Sequence, residues 1–254
     1  MVASVLSAAQ LASIALVATD MDGTLTHQGR FTPRLLDALA ALAAAQISVV
    51  IVTGRSAGWV QAIAHYLPIA GAIAENGGLY MAPAADTYQY LVDLEDPTAH
   101  RQHLAAMFER LRRRYPHLQP SGDNAFRLTD WTFDVAGLAP EDLAWLATTC
   151  EQTGWGFTYS TVQCHIRPAP QDKGPGLSRV LAEQFPQLRP DQVVTVGDSP
   201  NDEGLFDPRR FPLSVGVANV AHYRDRLTHF PRFVTQQPEV AGFCELAAMI
   251  TAMR

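Results

Sequence analysis

Four short apolar runs, each stopping at a polar cluster, constrain this chain more than anything else in it. Ile14 to Val17 leads into Asp20-Met21-Asp22-Gly23-Thr24, and Ile47 to Val52 into Thr53-Gly54-Arg55. Ile69 to Ala74 leads into Glu75-Asn76-Gly77-Gly78, and Gln192 to Val196 into Gly197-Asp198-Ser199-Pro200-Asn201-Asp202. Unbroken apolar runs of this length read as strands buried on both faces, which is the pattern of a parallel sheet. Helical patterns separate them. Pro33 opens one, with Leu35, Leu39 and Leu42 at helical spacing. A second runs from Ser56 to Leu67 and stops at Pro68, and a third begins at Pro175 with Leu177, Val180 and Leu181 inward. Strand–helix alternation predicts an α/β domain with a doubly wound, mostly parallel sheet.

The pattern changes in the middle. Tyr88 to Asp93 alternates like a half-buried strand, and Leu104, Met107, Phe108, Leu111 and Tyr115 mark an amphipathic helix. Ala125 to Leu128 and Trp131 to Val135 read as antiparallel strands. A helix from Pro140 carries Leu143, Leu146 and Cys150 on one face, and strands follow at Trp155 to Ser160 and Val162 to Arg167. Two strand–helix–strand sets in succession predict a small α+β module. The expected division is a core of residues 1–79 and 169–254 with an inserted domain at 80–168. Leu213 to Val217, Arg232 to Val234 and a helix from Pro238 to Met253 complete the core.

Composition narrows the function classes. The chain has 254 residues, enough for a sizeable core. Its net charge of −6 argues against a general nucleic-acid binder. Cys150, Cys164 and Cys244 are widely spaced, which is neither a disulfide framework nor a zinc site and fits a reducing cytoplasm. Met1 to Val17 is apolar, but no Lys or Arg precedes it and Gln10 interrupts it, so residues 1 to 13 read as an extension rather than a leader. No run reaches the roughly 18 apolar residues of a membrane span.

The strand ends carry the chemistry. Asp20 and Asp22 are two apart, so on an extended chain both carboxylates face one site, and Gly23 permits a sharp turn. Asp-x-Asp-Gly is also ordinary turn chemistry. The later oxygen ligands of a calcium loop are missing, since Phe31, Thr32 and Pro33 follow instead. Thr53, Asp198, Asn201 and Asp202 end other strands, and Lys173 sits between insert and core. Carboxylates, a hydroxyl and a lysine at one sheet end suit phosphoryl transfer through an aspartyl-phosphate. A metal ion and a lysine offset the repulsion between an attacking carboxylate and a phosphate. Mg²⁺, a hard cation held by few carboxylates plus water and phosphate oxygen, fits that donor set. A second acid can protonate the leaving alkoxide and later take a proton from water.

In order and setting, these motifs resemble those of the haloacid dehalogenase superfamily of phosphatases. Asp20-Met21-Asp22-Gly23-Thr24 resembles its first motif, Thr53 the second, Lys173 the third, and Gly197-Asp198 through Asn201-Asp202 the fourth. The resemblance implies a Rossmann-like core with Asp20 as nucleophile and Asp22 as general acid/base. It implies that Thr53 and the Gly54 amide bind phosphate, that Lys173 offsets charge, and that Asn201 steadies the phosphate or Lys173. Mg²⁺ would sit on Asp20, Asp198 and the Asp22 carbonyl, with Asp202 serving it directly or through water. No cap fits in the short stretch between Asp22 and Thr53, which disfavours the mutase-like and dehalogenase-like branches. An α+β insert between the second and third motifs resembles the Cof-type group, including sucrose-phosphate phosphatase and mannosyl-3-phosphoglycerate phosphatase. The implied activity is Mg²⁺-dependent hydrolysis of a phosphorylated sugar or sugar-derived metabolite. A broad-specificity Cof-type phosphatase and a sugar phosphomutase are the alternatives. The implied partner is a small phosphorylated substrate, with no nucleic acid or membrane, in a monomer or small homo-oligomer.

The insert should close over the leaving group and set specificity. Arg127, His165 and Arg167 are candidates to meet a sugar hydroxyl or a second anion, or else exposed strand residues. Arg55 can reach the phosphate or pair with a core acid. Glu75 and Asn76 can reach the substrate or simply connect core to insert. Trp131, Trp155 and Tyr159 can stack on a sugar ring, though aromatics in small sheets more often pack the core. Arg110, Arg112, Arg113 and Arg114 form a solvated helix face.

Overall fold

The structure, a computed structural model, describes residues 6–83, 87–160 and 162–254. The residues expected as a bare extension form a short helix, α1 (Ala8–Ser13), capped by Ser7 and burying Leu11 on the core. Strand β1 (Leu16–Thr19) follows, then α2 (Pro33–Ala44), β2 (Ser48–Val52), α3 (Ala57–Tyr66) and β3 (Gly71–Ala74). Thr32 caps α2, whose Leu35, Leu39 and Leu42 are fully buried at the expected spacing.

Two strands then extend the same sheet: β4 (Leu79–Met81), antiparallel to β3, and β5 (Gln89–Tyr90), antiparallel to β4. From sequence alone β4 is not expected as a separate strand, and Tyr88 to Asp93 reads as part of the insert. Leu79 and Met81 pack into the main core, so β4 and β5 complete its sheet. We therefore propose that the inserted module begins after Leu91 rather than at residue 80.

The module holds α4 (Pro97–Arg112), β6 (Trp131–Asp134), α5 (Pro140–Glu151), β7 (Trp155–Tyr159) and β8 (Gln163–Pro168). Its strands form one antiparallel sheet in the order β6-β8-β7. Phe133, Cys164 and Ile166 face α4 and α5 and pack with Leu104, Phe108, Leu111 and Leu146. By strand alternation, Thr132, His165 and Arg167 lie on the other face. The strand expected at Ala125 to Leu128 is instead a 3-10 turn, Gly122–Phe126. Asn124 explains the difference: its side chain accepts from Thr132 N and donates to Thr132 O, replacing the ladder bonds a strand would make.

The chain returns through α6 (Lys173–Gln184), β9 (Val193–Gly197), β10 (Leu213–Gly216), β11 (Phe233–Val234) and α7 (Glu239–Thr251). The large sheet runs β11-β10-β9-β1-β2-β3-β4-β5, parallel from β11 to β3. Val17, Val49 and Ile51 face α2, α3 and α7, while Leu16, Ala18, Val50 and Val52 face α6. From β1 the chain winds one way to β3, and after the module it winds the other way from β9. The switch point lies between β1 and β9, where open α/β sheets form a ligand crevice at the carboxyl ends of their strands. Asp20 follows β1 and Asp198 follows β9.

Candidate active site

The carboxyl ends of β1 and β9 bring three buried acids together. One carboxylate oxygen from each of Asp20, Asp198 and Asp202 lies within 4.8 Å of the others. Lys173, at the start of α6, is fully buried beneath them. Its Nζ donates to Asp20 Oδ1 at 2.5 Å and to Asp202 Oδ1 at 2.7 Å. Asp202 Oδ2 accepts from the backbone N–H groups of Asp198 and Ser199, at 2.8 and 3.1 Å. Both oxygens of Asp202 are thus engaged by protein donors. Asp20 Oδ2 and Asp198 Oδ1, by contrast, are buried without a partner.

Electrostatics explain what those two atoms need. Burial, reinforced by Asp202 and opposed by Lys173, pushes the Asp20 carboxyl up to about 7. Burial, together with Asp20 and Asp202, also raises Asp198 well above the usual carboxylate range. Burial alone would lower the Lys173 pKa, but Asp20 and Asp202 more than offset it and hold it above its ordinary value. Three buried carboxylates cluster around one ammonium that bonds only two of them, and two of their oxygens are left without a partner. A divalent cation fits this donor set, hard oxygen ligands with uncompensated negative charge.

Asp20 and Asp22 share the cavity, though not because the chain is extended. Strand β1 ends at Thr19 and residues 22–25 turn. Gly23 has φ +83°, and a Cβ there would sit 2.4 Å from Asp198 Oδ2, so the turn requires glycine. Asp22 is held by a bidentate bond from Arg55: Nε to Oδ2 at 2.7 Å and Nη2 to Oδ1 at 2.6 Å. Of the two readings of Arg55, the structure shows the ion pair, and the guanidinium also stacks on Trp59. Thr53, Gly54, Ser199 and Asn201 complete the core wall of the cavity, and Ser160, Val162, Gln163 and His165 form its roof. The enclosed space is about 10 Å³.

Several expected site residues are held by other protein groups. Glu75 is buried beneath the module; its carboxylate accepts from the N–H groups of Ala57, Leu128, Thr129 and Asp130 and from the Thr129 hydroxyl. Asn76 is a side-chain partner of Asn201 at 3.0 Å, outside the cavity. Arg127 donates to the Gly54 carbonyl at 2.9 Å, to Asp130, to Asp123 and to Gln163. Arg167 staples the return linker, donating to the carbonyl of Gln171 and to Asp172. Trp131 packs on Phe108 and under Arg101, and Trp155 lies against His100.

Asn219 escaped the sequence analysis. It comes after β10, donates to Asp198 Oδ2 at 2.7 Å and to the Gly23 carbonyl at 3.1 Å, and so fixes Asp198 against the turn that follows β1. Its signal was weaker than theirs: Asp20, Thr53 and Asp198 directly follow their strands, whereas Asn219 stands three residues past β10 in a 3-10 turn. Asp130 and Asp123 had no such signal, because their importance comes from their partners.

Comparison with known proteins agrees with this geometry. Residues 17–111 match the model of the haloacid dehalogenase-like hydrolase family. The phosphoglycolate phosphatase of Haloarcula marismortui is 31% identical over 192 residues, 74% of this chain and 78% of that protein. Phosphoglycolate phosphatase 1 of Saccharolobus solfataricus is 28% identical over 236 residues, 91% and 93% of the two chains. A solved Thermoplasma acidophilum structure superposes with a TM-score of 0.76 at 20% identity, covering 95% of this chain and 99% of that one.

Proposed function

The chain belongs to the haloacid dehalogenase-like hydrolases and is a phosphatase, and on that premise we propose that it hydrolyses a small phosphomonoester through an aspartyl-phosphate on Asp20, with Mg²⁺ as cofactor. One observation carries this reading: Asp20 lines one cavity with Asp22, Thr53 and Gly54, accepts from Lys173, and keeps a buried Oδ2 without a partner, as the clustered Asp198 keeps its Oδ1. The Asp20 carboxylate attacks phosphorus, the ester P–O bond breaks, and Asp22 gives a proton to the departing alkoxide. Water then attacks phosphorus, Asp22 takes its proton, and the Asp20 carboxylate is restored as phosphate leaves. Lys173 offsets charge on Asp20 and the phosphoryl group, and Thr53 with the Gly54 N–H cradles the phosphate oxygens. Asp20, Asp198 and the Asp22 carbonyl would hold Mg²⁺, which supplies positive charge against the phosphate; Asp202 anchors Lys173 and the β9 loop instead. The alkoxide must be protonated by Asp22, so Arg55 must yield it.

A space of about 10 Å³ does not admit a phosphate ester, so the module must open to load and close to react. Arg55 is a cation on the cavity wall that a leaving-group carboxylate can reach, which favours a phosphoglycolate-type acid. Ser160, Gln163 and His165 on the roof favour a hydroxylated, sugar-like group as the second reading. Phosphate release from phosphoglycolate, phosphoglycerates, glycosyl-phosphoglycerates, sucrose 6-phosphate, hexose phosphates and nucleotides, with Mg²⁺ and with EDTA, tests both. Strong Mg²⁺-dependent release from one class fixes the substrate. Release that EDTA leaves intact would sink the metal assignment.

A further inference from the structure

The roof of the cavity contains a buried chain of side chains that the proposed reaction does not use. His165 is buried, and its ring lies over the phosphate-binding turn: Cε1 and Nε2 would be 2.9 and 3.1 Å from a Cβ at Gly54. Its Nδ1 is 2.8 Å from Asp130 Oδ2. The other oxygen of Asp130 accepts from Arg127 Nη1 at 2.8 Å, and that same nitrogen donates to the Gly54 carbonyl at 2.9 Å. One arginine therefore registers the imidazole against the loop that would hold the phosphate. Asp130 is fully buried and held below the usual carboxylate range: burial acts to raise it, and the Arg127 charge and His165 more than offset that. Such an ionised carboxylate accepts a hydrogen bond and has none to give. Nδ1 must therefore carry the ring proton, which leaves Nε2 with a lone pair facing the cavity. Among the described residues Nε2 has no hydrogen-bond partner.

Resting on the phosphatase reading above, we propose that Asp130 is the positioning residue for His165, and that the Nε2 atom so presented accepts a hydrogen bond from a hydroxyl of the leaving group. The favoured class is then a phosphate ester whose leaving group carries a hydroxyl close to the ester oxygen. Arg55 lines the same cavity, so a hydroxy-acid phosphate meets both groups. Burial keeps the His165 ring neutral, against the pull of the Asp130 bond, which is the state an acceptor needs. The groups facing the ring are Asp130, Arg127 and Lys173.

The test compares 3-phosphoglycerate with 3-(phosphooxy)propionate, the phosphate ester of 3-hydroxypropionate, which differ by one hydroxyl, in the Mg²⁺-loaded enzyme and in Asp130→Asn and His165→Phe. The wild type should favour 3-phosphoglycerate in kcat/KM by about tenfold, the effect of one well-made hydrogen bond. Both variants should bring the ratio to about one, mainly through KM. A merely structural role would lower both substrates together and leave the ratio standing, which would overturn the proposal. So would a wild-type ratio of one. His165→Phe keeps the Asp130–Arg127 pair and serves if Asp130→Asn does not fold. Imidazole ¹⁵N spectra of the wild type, with the His165 signal assigned by its loss in His165→Phe, read the ring without any substrate. A protonated Nδ1 and bare Nε2 support the positioning role, and the opposite tautomer refutes it. Failure of every phosphate ester in the panel would instead count against the phosphatase reading, and the spectra would still decide the Asp130 assignment.

Discussion

The two walls of the cavity are built by opposite rules. The core wall is charged: Asp20, Asp22 and Arg55 line it, and Asp198, Asp202 and Lys173 cluster with Asp20 at the ends of β1, β9 and α6. The roof is close to neutral: Ser160, Val162, Gln163 and His165 come from one hairpin whose nearest charges, Arg127 and Asp130, are spent on each other. A wall that stabilises a transferring phosphoryl group needs fixed, uncompensated charge on a rigid sheet. A wall that selects a leaving group needs hydrogen-bonding groups on an element that can move away.

That contrast can be broken in order of effect. Asp20→Asn should lower kcat by at least about 10⁴-fold while the fold persists, as loss of a covalent nucleophile does; phosphate release beside circular dichroism checks it, and near-normal turnover would end the core-wall mechanism. Lys173→Met should cost about 3–5 kcal/mol of stability, because Asp20 and Asp202 lose the ammonium that both of them contact in a buried site. Urea denaturation measures that loss. Saturating Mg²⁺ at about 100 times its dissociation constant should stabilise the wild type by about 2.7 kcal/mol. That gain should shrink in Asp198→Asn, read as a thermal shift. Glu75→Gln should cost about 1–3 kcal/mol, since Gln offers only one acceptor oxygen to the donors from Ala57 and residues 128–130. It should also raise KM if that tie sets the roof's closed position.

The smallest effect is in pH. Burial lowers the His165 pKa, opposed by its bond to Asp130. A group depressed in the folded state binds fewer protons there than in the unfolded chain, whose histidine titrates near about 6.5. Stability should therefore fall as pH drops below about 6.5, and His165→Phe should flatten that slope. Denaturation midpoints at pH 7 and pH 5.5 in both proteins give the comparison.

The core wall was legible in the chain because its information is local. Apolar runs mark buried strands, their ends mark the crevice, and Asp20, Thr53 and Asp198 each sit one residue past such an end. Asn219 lies three residues past β10, inside a 3-10 turn, so that rule does not reach it. The three-stranded module was legible in outline, but its 3-10 turn was not, because Asn124 replaces a strand's bonds with side-chain ones that no propensity encodes.

Sequence by itself thus determined where the proposed phosphate chemistry sits: on a doubly wound sheet, at its switch point, with its acids and lysine in order. Only the tertiary structure decided which charged residues were free to act there. Glu75, Arg127 and Arg167 look available in the chain, yet each is buried, and a buried charge must be bonded to be tolerated. Folding brings Thr129 to Glu75, and Gly54 and Gln163 to Arg127, from distant segments, and it turns the nearby Asp130 and Gln171 onto Arg127 and Arg167; that closure leaves His165 over the Gly54 turn.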